Sequence, residues 1–434
     1  MEKGKLDSRL RVIQNAPLSG KVVLLRVDHN VVKNGKITDP YRIDATIGTL
    51  YYIAAQGGRP VLMTHVGRPR DKKTGHITCR DGESVEPIVH YLSEKLPVEI
   101  HIPEFPIEPE NGIVHMDATM GPVLDSLQKR KVDMIYLPNI RWFKGEEAKG
   151  PEREALAKAL ASMADLYVND AFGSWRVHAS TYDVATRLPS FAGLLLQKEL
   201  LNLHRVLEPQ KPFVAVVAGA KYDTKIGPLK ALHEKVDHLI LGGLMYNTYL
   251  SAKYDVPIAG VSEADKSLAM DMVELDRKEN KILEMPWVVE SDRPDTRVEG
   301  EYRSTAIDGF GDRKSINYLL DVDPRSMAAD PVQKVIGSAK TLFVNAVMGM
   351  MPHFSEGSKA LYEAVTAAPD AMKLFAGGDT LQVFKELCPG AYMTGLDDPG
   401  CYYFTGGGSV LSAIEQESAY GLTPVQALME EAAP

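Results

Sequence analysis

Apolar segments of strand-like composition alternate with segments of helical periodicity along this chain. Helical spacing of apolar residues covers 41–56, 84–95, 120–130, 151–163, 191–207, 226–235, 357–367, 380–387 and 409–417. Apolar runs lie between them, including 212–217, 237–241, 285–289, 341–344, 373–376 and 401–404. This alternation predicts an α/β protein whose parallel sheets are covered by helices on both faces. The polar segment 291–315 is predicted to be a long loop.

The length of 434 residues favours two domains, because a single hydrophobic core rarely serves more than about 300 residues. Residues 191–207 are predicted to form a long helix that ends before Pro209 and Pro212. A new strand begins at Phe213. We predict this organisation: a first domain over 1–195, an interdomain helix over 196–210, a second domain over 211–418, and a final segment over 419–434 that packs back on the first domain.

The composition excludes several functional classes. A net charge of −9 argues against binding to nucleic acid or to an anionic membrane. No apolar run is long enough to cross a bilayer, and the first residues lack the apolar stretch of a secretory signal. Cys79, Cys388 and Cys401 lack the spacing of a zinc site. We therefore expect a cytoplasmic protein with reduced thiols.

Residues able to hold a small anion follow four apolar strands in the first half of the chain. They are Asp28 and Asn30, His65 and Arg68, Arg141, and Arg176 with His178. Parallel strands end at one edge of a sheet, and the helices that follow them add positive potential there. These strand ends are therefore predicted to form one site. The alternative is that they are scattered surface cations.

Glycine-rich turns take the same place in the second half. They follow four strands, at 219–225, 242–245, 377–380 and 405–409. Each turn alone is typical of a tight strand-to-helix connection, but four of them favour a bound nucleotide. Asp379 could hold Mg²⁺, which prefers one or two carboxylates together with phosphate oxygens. The chain has neither GxxxxGK[ST] nor a GxGxxG after a strand, so it lacks the ordinary P-loop and dinucleotide motifs.

These motifs resemble the phosphoglycerate kinase family over nearly the whole chain. Matching stretches in the first half are 26–30, 35–39 with Arg42, 65–69, 139–141, 168–173 with Arg176, 178–180 and 196–200. In the second half they are 219–221 with Lys225, 235–237, 344–345 with 348–349, 377–380 and 405–408. The resemblance implies two Rossmann-like domains that face each other across a central cleft. It also implies phosphoryl transfer between 1,3-bisphosphoglycerate and MgADP.

The resemblance assigns residues to both substrates. Those expected to bind phosphoglycerate in the first domain are Asp28, Asn30, Arg42, His65, Arg68, Arg141 and Arg176. Those expected to bind the nucleotide in the second domain are Gly219, Lys221, Lys225, Gly243, Asn345, Gly377, Gly378, Asp379 and Thr380, with Asp379 also on the metal. Arg42 and Lys221 are expected to be catalytic, because phosphoryl transfer requires neutralised charge on the moving group. His65 has an alternative role as the cap of a turn. The expected partners are 3-phosphoglycerate and ATP or ADP with Mg²⁺, bound to a monomer.

The chain departs from the usual family motifs at particular positions. His29 replaces a phenylalanine, and Val32 replaces a proline, in the motif usually read RVDFNVP. Pro352 stands where the family has a glutamate that contacts the ribose, and Ala346-Val347 replaces Gly-Pro. The cationic residues of the first half are retained, whereas the nucleotide half has diverged. This divergence predicts weaker nucleotide binding.

Three functions remain open on the sequence. The first is an active phosphoglycerate kinase. The second is a kinase-like paralogue that acts on another carboxylic acid or uses another phosphoryl donor. The third is a non-catalytic binding protein that keeps the fold. The retained Arg42, Lys221, Lys225 and Asp379 argue against the third, because a scaffold requires none of them.

Overall fold

The computed structural model of the chain describes residues 5–116, 119–219 and 226–430. Its strands are β1 (Val22–Val27), β2 (Val32–Lys33), β3 (Lys36–Ile37), β4 (Arg59–Met63), β5 (Ile100–His101), β6 (Met134–Tyr136), β7 (Leu166–Asp170), β8 (Ser190–Ala192), β9 (Phe213–Ala218), β10 (His238–Gly242), β11 (Trp287–Ser291), β12 (Tyr302–Ala306), β13 (Tyr318–Val322), β14 (Thr341–Asn345), β15 (Met372–Ala376) and β16 (Cys401–Phe404). Its α-helices are α1 (Tyr41–Asp44), α2 (Ile47–Ala55), α3 (Glu86–Lys95), α4 (Met120–Gln128), α5 (Pro151–Ser162), α6 (Leu194–Leu207), α7 (Ile226–Lys235), α8 (Gly243–Tyr254), α9 (Glu263–Glu279), α10 (Pro324–Ala328), α11 (Asp330–Ser338), α12 (Glu356–Ala367), α13 (Gly378–Leu387), α14 (Pro389–Asp397), α15 (Gly407–Glu415) and α16 (Thr423–Gln426).

The chain divides into two compact units. The first comprises Met1–Leu201 with Tyr420–Pro434, and the second comprises Asn202–Ala419. Helix α6 contains the boundary between them. None of the helices in the described ranges combines the length and the apolar character that a membrane span requires.

The first unit is built on a parallel sheet with strand order β5-β6-β4-β1-β7-β8. All six residues of β1 are buried, as expected for a central strand covered on both faces. The strands with anion-binding residues at their ends, β6, β4, β1 and β7, are neighbours in this order. Their carboxyl ends therefore lie side by side at one edge.

The final segment contacts the start of the chain within the first unit. Met429 forms an antiparallel bridge with Leu10. The carbonyls of Leu428 and Ala427 accept hydrogen bonds from Arg11, at 3.0 Å from its backbone nitrogen and 2.6 Å from Nη2 respectively. Leu428 is fully buried. Burial of this side chain favours the docked position of the segment.

The second unit contains a parallel sheet with strand order β10-β9-β14-β15-β16. The predicted α/β class with parallel sheets is thus confirmed. One prediction was wrong, because 291–315 is not simply a loop. It includes β12, the edge of an antiparallel sheet with order β12-β11-β13. The residues of β12 are half-buried or exposed, so the strand lacks the apolar pattern that would have revealed it.

Candidate active site

Two of the predicted ligands of the first unit, Arg42 and His65, lie close to a third, Asp28. Asp28 follows the end of β1, and Arg42 lies on the short helix α1. Arg42 Nη1 is 3.6 Å from Asp28 Oδ2, and His65 Nδ1 is 4.0 Å from Asp28 Oδ1. The carboxylate is only 5% exposed. Asp28 is therefore the centre of this part of the site.

One carboxylate oxygen of Asp28 lacks a hydrogen-bond donor. Within the described ranges, Oδ1 is buried and accepts no hydrogen bond. A buried acceptor without a partner costs about 1–3 kcal/mol, so such atoms are uncommon unless a ligand completes them. A hydroxyl group of a bound substrate would supply the missing donor.

Asn30 and Arg141 both hold the backbone of Gly67. Asn30 Oδ1 accepts from the Gly67 nitrogen at 2.9 Å, and Arg141 Nη1 donates to the Gly67 carbonyl at 2.6 Å. Gly67 has φ of +62°, and a Cβ there would lie 2.5 Å from Glu83 Oε1. The positive φ and the close approach of the Glu83 side chain both favour glycine at this turn. The clamp fixes the backbone next to Arg68.

Arg68 and Arg176 are exposed, unlike the residues around Asp28. Arg68 follows the clamped Gly67, which places its backbone beside Asn30 and Arg141. The Arg176 guanidinium is 5.6 Å from the ring centroid of Trp175. The structure thus pairs Arg42 with Asp28, places His65 beside them, and positions Arg68 through Gly67. Among the described residues, the Arg176 side chain forms no hydrogen bond or ion pair with the other predicted ligands.

A buried network behind His65 was not predicted from the sequence. Arg26 is 1% exposed and donates to Ser180 Oγ at 2.9 Å and to His65 Nδ1 at 3.3 Å. Ser180 Oγ donates in turn to the buried Glu146 at 2.6 Å. Arginine can only donate, so His65 Nδ1 is the acceptor and Nε2 carries the proton. One signal was present in the sequence, since Arg26 is a charged residue within a continuous apolar strand.

The histidines of this region are neutral around pH 7. Burial lowers the pKa of His65 well below its usual value, and the cations Arg141, Arg26 and Arg42 add to the effect. Burial likewise lowers the pKa of His178 to about 4, again with Arg141 contributing. Burial is the main cause of both shifts, and the surrounding positive charge lowers both pKa values further. This part of the protein is therefore suited to an anionic ligand.

Three strand ends of the second unit pack closely around Asn345. The Asn345 side chain at the end of β14 donates to the Ala376 carbonyl at 2.6 Å. A Cβ on Gly377 or Gly407 would lie 2.7 or 2.9 Å from Asn345 Nδ2. Gly377 also has φ of +105°. Glycine is needed at these positions because the backbones of neighbouring turns approach so closely.

The predicted glycines of the first two strand ends also meet. The Gly219 carbonyl after β9 accepts a hydrogen bond from the Met245 nitrogen in α8 at 3.3 Å. Gly243 has φ of +59°, and its Cβ would lie 3.4 Å from the Gly219 carbonyl oxygen. Lys221 and Lys225 lie outside the described residues. The structure therefore brings Gly219 and Gly243 together at the same edge as Asn345 and Gly377.

The start of α13 carries the predicted metal ligand. Gly378 and Asp379 are exposed in its first turn, and Thr380 behind them is buried. No group of three or more His, Cys, Asp or Glu residues suited to a metal occurs in the part of the chain that the structure describes. A single exposed carboxylate at a helix N-terminus fits Mg²⁺ that arrives with phosphate oxygens as further ligands. It does not fit a metal held by protein alone.

The divergent loop after β14 is held by Arg297. This arginine forms an ion pair with Glu356 and donates to the His353 carbonyl at 3.2 Å. Its guanidinium carbon lies 4.7 Å from the ring centroid of Tyr302 and 5.5 Å from that of Phe354. Glu356 is therefore already engaged by a cation. The antiparallel sheet, through Tyr302 on β12, supports this loop.

Comparison with known proteins shows the family to which the chain belongs. The family model described as phosphoglycerate kinase matches residues 13–417. A curated phosphoglycerate kinase from Dictyoglomus turgidum is 33% identical over 420 residues, which cover 95% of this chain and 98% of that protein. The chain belongs to the phosphoglycerate kinase family. The resemblance predicted from the motifs is thereby confirmed.

Solved structures of this family share the fold. Phosphoglycerate kinase from Coxiella burnetii is 29% identical, with a TM-score of 0.71 over 96% of this chain and 98% of its own. The enzyme from Pyrococcus horikoshii OT3 has a TM-score of 0.73 over the same shares, and at 23% identity its similarity is evidence of fold alone. Both agree with the predicted fold class.

Proposed function

We propose that this protein transfers a phosphoryl group between 1,3-bisphosphoglycerate and ADP, giving 3-phosphoglycerate and ATP. The observation that carries the proposal is that Asp28 and His65, which follow the neighbouring strands β1 and β4, lie close to each other and to Arg42 on α1. An ADP oxygen attacks the acyl phosphorus, the bond from phosphorus to the carboxyl oxygen breaks, and the carboxylate leaves. Membership of the family supports the same reaction.

Each residue of the first unit has a proposed role in this reaction. Asp28 Oδ1 accepts from the substrate hydroxyl, and Arg42 beside it neutralises charge on the transferring group. Asn30 uses its oxygen for Gly67, so its amide nitrogen is the donor to the substrate. His65 donates through Nε2. The phosphate that is not transferred is bound by Arg68, Arg141 and Arg176. Guanidinium groups suit this role because they form bidentate hydrogen bonds to phosphate.

The second unit is proposed to bind the nucleotide. The tight turns at Gly219, Gly243 and Gly377–Gly378 let the backbone approach phosphates, and Asn345 and Thr380 support them from behind. Lys221 and Lys225 would pair with phosphate oxygens, Lys221 on the transferring group. Asp379 would contact Mg²⁺, which neutralises charge on the phosphates when bound.

The setting of the enzyme is also a proposal. The described cysteines are free thiols, which is usual in the reducing cytoplasm. A net charge of −9 favours separate molecules, so we propose a cytoplasmic monomer. Size-exclusion chromatography with light scattering tests the monomer, and a particle of twice the chain mass would contradict it.

A coupled assay tests the reaction. ATP, 3-phosphoglycerate and Mg²⁺ are mixed with the protein, and formation of the acyl phosphate is followed through its reductive consumption. We expect turnover that requires all three components. Arg9→Ala, which alters a surface arginine paired with Asp7, is the matched control for arginine variants of the site and should keep full activity. No turnover with 3-phosphoglycerate, in a folded protein, would overturn the proposal.

A further inference from the structure

His29 is a buried imidazole at a position where the family motif usually has phenylalanine. It lies between Asp28 and Asn30 and is 0% exposed. An imidazole brings two polar nitrogens into the core, and buried polar atoms require partners. Its contacts therefore show what this replacement does.

Both ring nitrogens of His29 have a defined role. Nε2 is 2.9 Å from Thr46 Oγ1, and Nδ1 is 2.9 Å from the Tyr136 hydroxyl. The Thr46 hydroxyl donates its one hydrogen to the Ile43 carbonyl at 2.8 Å, so it must accept from His29. Nε2 therefore carries the proton, and Nδ1 accepts from Tyr136. The backbone nitrogen of His29 also donates to Thr64 Oγ1 at 2.9 Å.

These contacts connect the end of β1 to the segment that carries Arg42. Ile43 lies in α1 next to Arg42, and Thr46 directly precedes α2. Burial lowers the pKa of His29 to about 3, although Asp28 opposes the shift. The ring is thus neutral and adds no charge beside Asp28. Its effect on the site is geometric.

We propose that His29 is a positioning residue for phosphoryl transfer, which holds the turn of Arg42 against Asp28 through Thr46. The proposal rests on the proposed function, since it assumes that Arg42 acts on the transferring phosphoryl group. Packing alone would be served by phenylalanine. The hydrogen bond to Thr46 is what phenylalanine cannot make.

Two substitutions each remove one partner of the hydrogen bond between His29 and Thr46. His29→Phe restores the usual family residue, and Thr46→Val removes the acceptor. Each should lower kcat about tenfold and change the KM for 3-phosphoglycerate less than about twofold, because a misplaced catalytic group slows the reaction more than it weakens binding. Thr46→Ser keeps the hydroxyl group and should therefore have the kcat of the wild-type protein. An unchanged kcat in both His29→Phe and Thr46→Val would overturn the proposal.

A control separates positioning from a general loss of stability. His233 in the second unit is also fully buried, with Nε2 3.2 Å from Asp276 Oδ1. His233→Phe should lower the melting temperature and leave kcat within about twofold, as expected for a buried group remote from the chemistry. A tenfold loss of kcat there would mean that any buried histidine substitution has this effect, which would overturn the interpretation.

A double-mutant cycle with Arg42→Ala tests whether His29 affects the reaction through Arg42. If His29 acts through Arg42, His29→Phe should change kcat less than about twofold once Arg42 is alanine. The same tenfold loss in both backgrounds would show that His29 acts elsewhere. If His29→Phe does not fold, Thr46→Val gives the same comparison.

Nuclear magnetic resonance tests the link without any assay of activity. Long-range ¹⁵N–¹H spectra of the wild-type protein should show His29 as the Nε2–H tautomer, without titration between about pH 5 and 8. The Nδ1–H tautomer, or titration near the usual pKa, would refute the hydrogen-bond assignment. A wild-type protein with this tautomer but no turnover would refute the proposed function, and the catalytic role of His29 with it, while the structural link would stand.

Discussion

Arg42 is paired with Asp28, which is itself a proposed substrate ligand, whereas Arg141 is paired with Glu147, which is not. Arg42 Nη1 is 3.6 Å from Asp28 Oδ2, and the Arg42 side chain is largely shielded. The Asp28 carboxylate limits the net charge that Arg42 offers to a resting substrate. A group that gains negative charge during transfer would be stabilised more strongly than the ground state.

We expect Arg42→Ala to lower kcat by about 100-fold while KM for 3-phosphoglycerate rises only a few-fold. The measurement is a steady-state titration of 3-phosphoglycerate in the coupled assay. Arg9→Ala serves as the surface control. A variant with normal kcat and a raised KM would show that Arg42 is an anchor only.

Arg141 and Arg176 are expected to bind the same phosphate, but they differ in structural role. Arg141 is partly buried and holds the Gly67 carbonyl, and its Nε is 3.2 Å from Glu147 Oε1. Arg176 is exposed and stacks near Trp175. Loss of Arg141 therefore leaves the partly buried Gly67 carbonyl with one hydrogen-bond donor fewer, whereas loss of Arg176 removes no such bond.

We expect alanine at either position to weaken 3-phosphoglycerate at least tenfold and to leave ADP affinity unchanged. Arg141→Ala alone should also lower the free energy of unfolding, by about 1–3 kcal/mol for a lost charged hydrogen bond. Calorimetry with each ligand and denaturant titration supply the two readouts. Equal destabilisation by both variants would contradict this distinction.

At the scale of elements, the loop after β14 shows how a divergent segment is rebuilt. Pro352 provides no side-chain acceptor where the family has the ribose-binding glutamate. Glu356 is the next carboxylate along the chain, but it is paired with Arg297, which also packs on Tyr302 and Phe354. A carboxylate held in an ion pair is a weaker acceptor for a sugar hydroxyl.

We therefore expect ADP and 2′-deoxy-ADP to bind with affinities within about twofold, because the missing ribose hydrogen bond, worth about 0.5–1.5 kcal/mol or about 2- to 13-fold, is what would distinguish them. Isothermal calorimetry with both nucleotides gives the ratio. Arg297→Gln releases Glu356 and should shift the ratio toward ADP. A strong preference of the wild type for ADP would mean that another residue binds the ribose.

The antiparallel sheet is held by a buried carboxylate on its central strand. Glu290 is fully buried and accepts two hydrogen bonds from Arg313, at 2.8 and 2.9 Å, and others from the Asn317 nitrogen and Thr305. Burial alone would raise its pKa. The hydrogen bonds from Arg313, Asn317 and Thr305 outweigh burial and lower the pKa to about 2.

The lowered pKa of Glu290 makes the stability of the protein depend on pH. A carboxyl group with a folded pKa below its unfolded value stabilises the fold above the unfolded pKa, and this contribution is lost as the pH falls. The stabilisation by Glu290 is therefore lost as the pH falls from about 4.5 to about 2. We expect Glu290→Gln to be less stable than the wild type at pH 7, with a difference that shrinks as the pH falls through this window. Urea unfolding at a series of pH values measures it, and a difference independent of pH would contradict the assignment.

At the scale of the whole molecule, the two units differ in the kind of residue that follows their parallel strands. The first has cationic and polar side chains around Asp28, and the second has glycine turns around Asn345. Side chains suit a small, highly charged acid, whereas backbone turns suit the extended phosphates of a nucleotide. The two substrates should therefore bind to different units.

Hydrogen exchange read by mass spectrometry tests this separation. Adding 3-phosphoglycerate alone should slow exchange at 26–30 and 64–69, and adding ADP with Mg²⁺ alone should slow it at 376–380. The reason is that a ligand stabilises the segments that it contacts directly. Equal protection of both regions by either ligand would contradict the assignment of one substrate to each unit.

Parts of this architecture were predictable because their signals are local. Continuous apolar runs such as Val22–Val27 indicate buried parallel strands, and the topology of such sheets places the residues after them at one edge. Helix α8 was missed because its residues from Met245 to Ala252 are buried on all sides, so it has no polar face to give a helical period. Strand β12 was missed for the opposite reason, since it is mostly polar.

The sequence by itself determined the α/β class and the family, because periodicity and motif spacing are properties of neighbouring residues. Only the tertiary structure decided which polar groups pair. The contacts of His29 with Thr46 and Tyr136 span 17 and 107 residues, and that of Arg26 with Ser180 spans 154. No local pattern encodes such pairs, because buried polar atoms take whichever partners the packing of distant elements brings within hydrogen-bond distance.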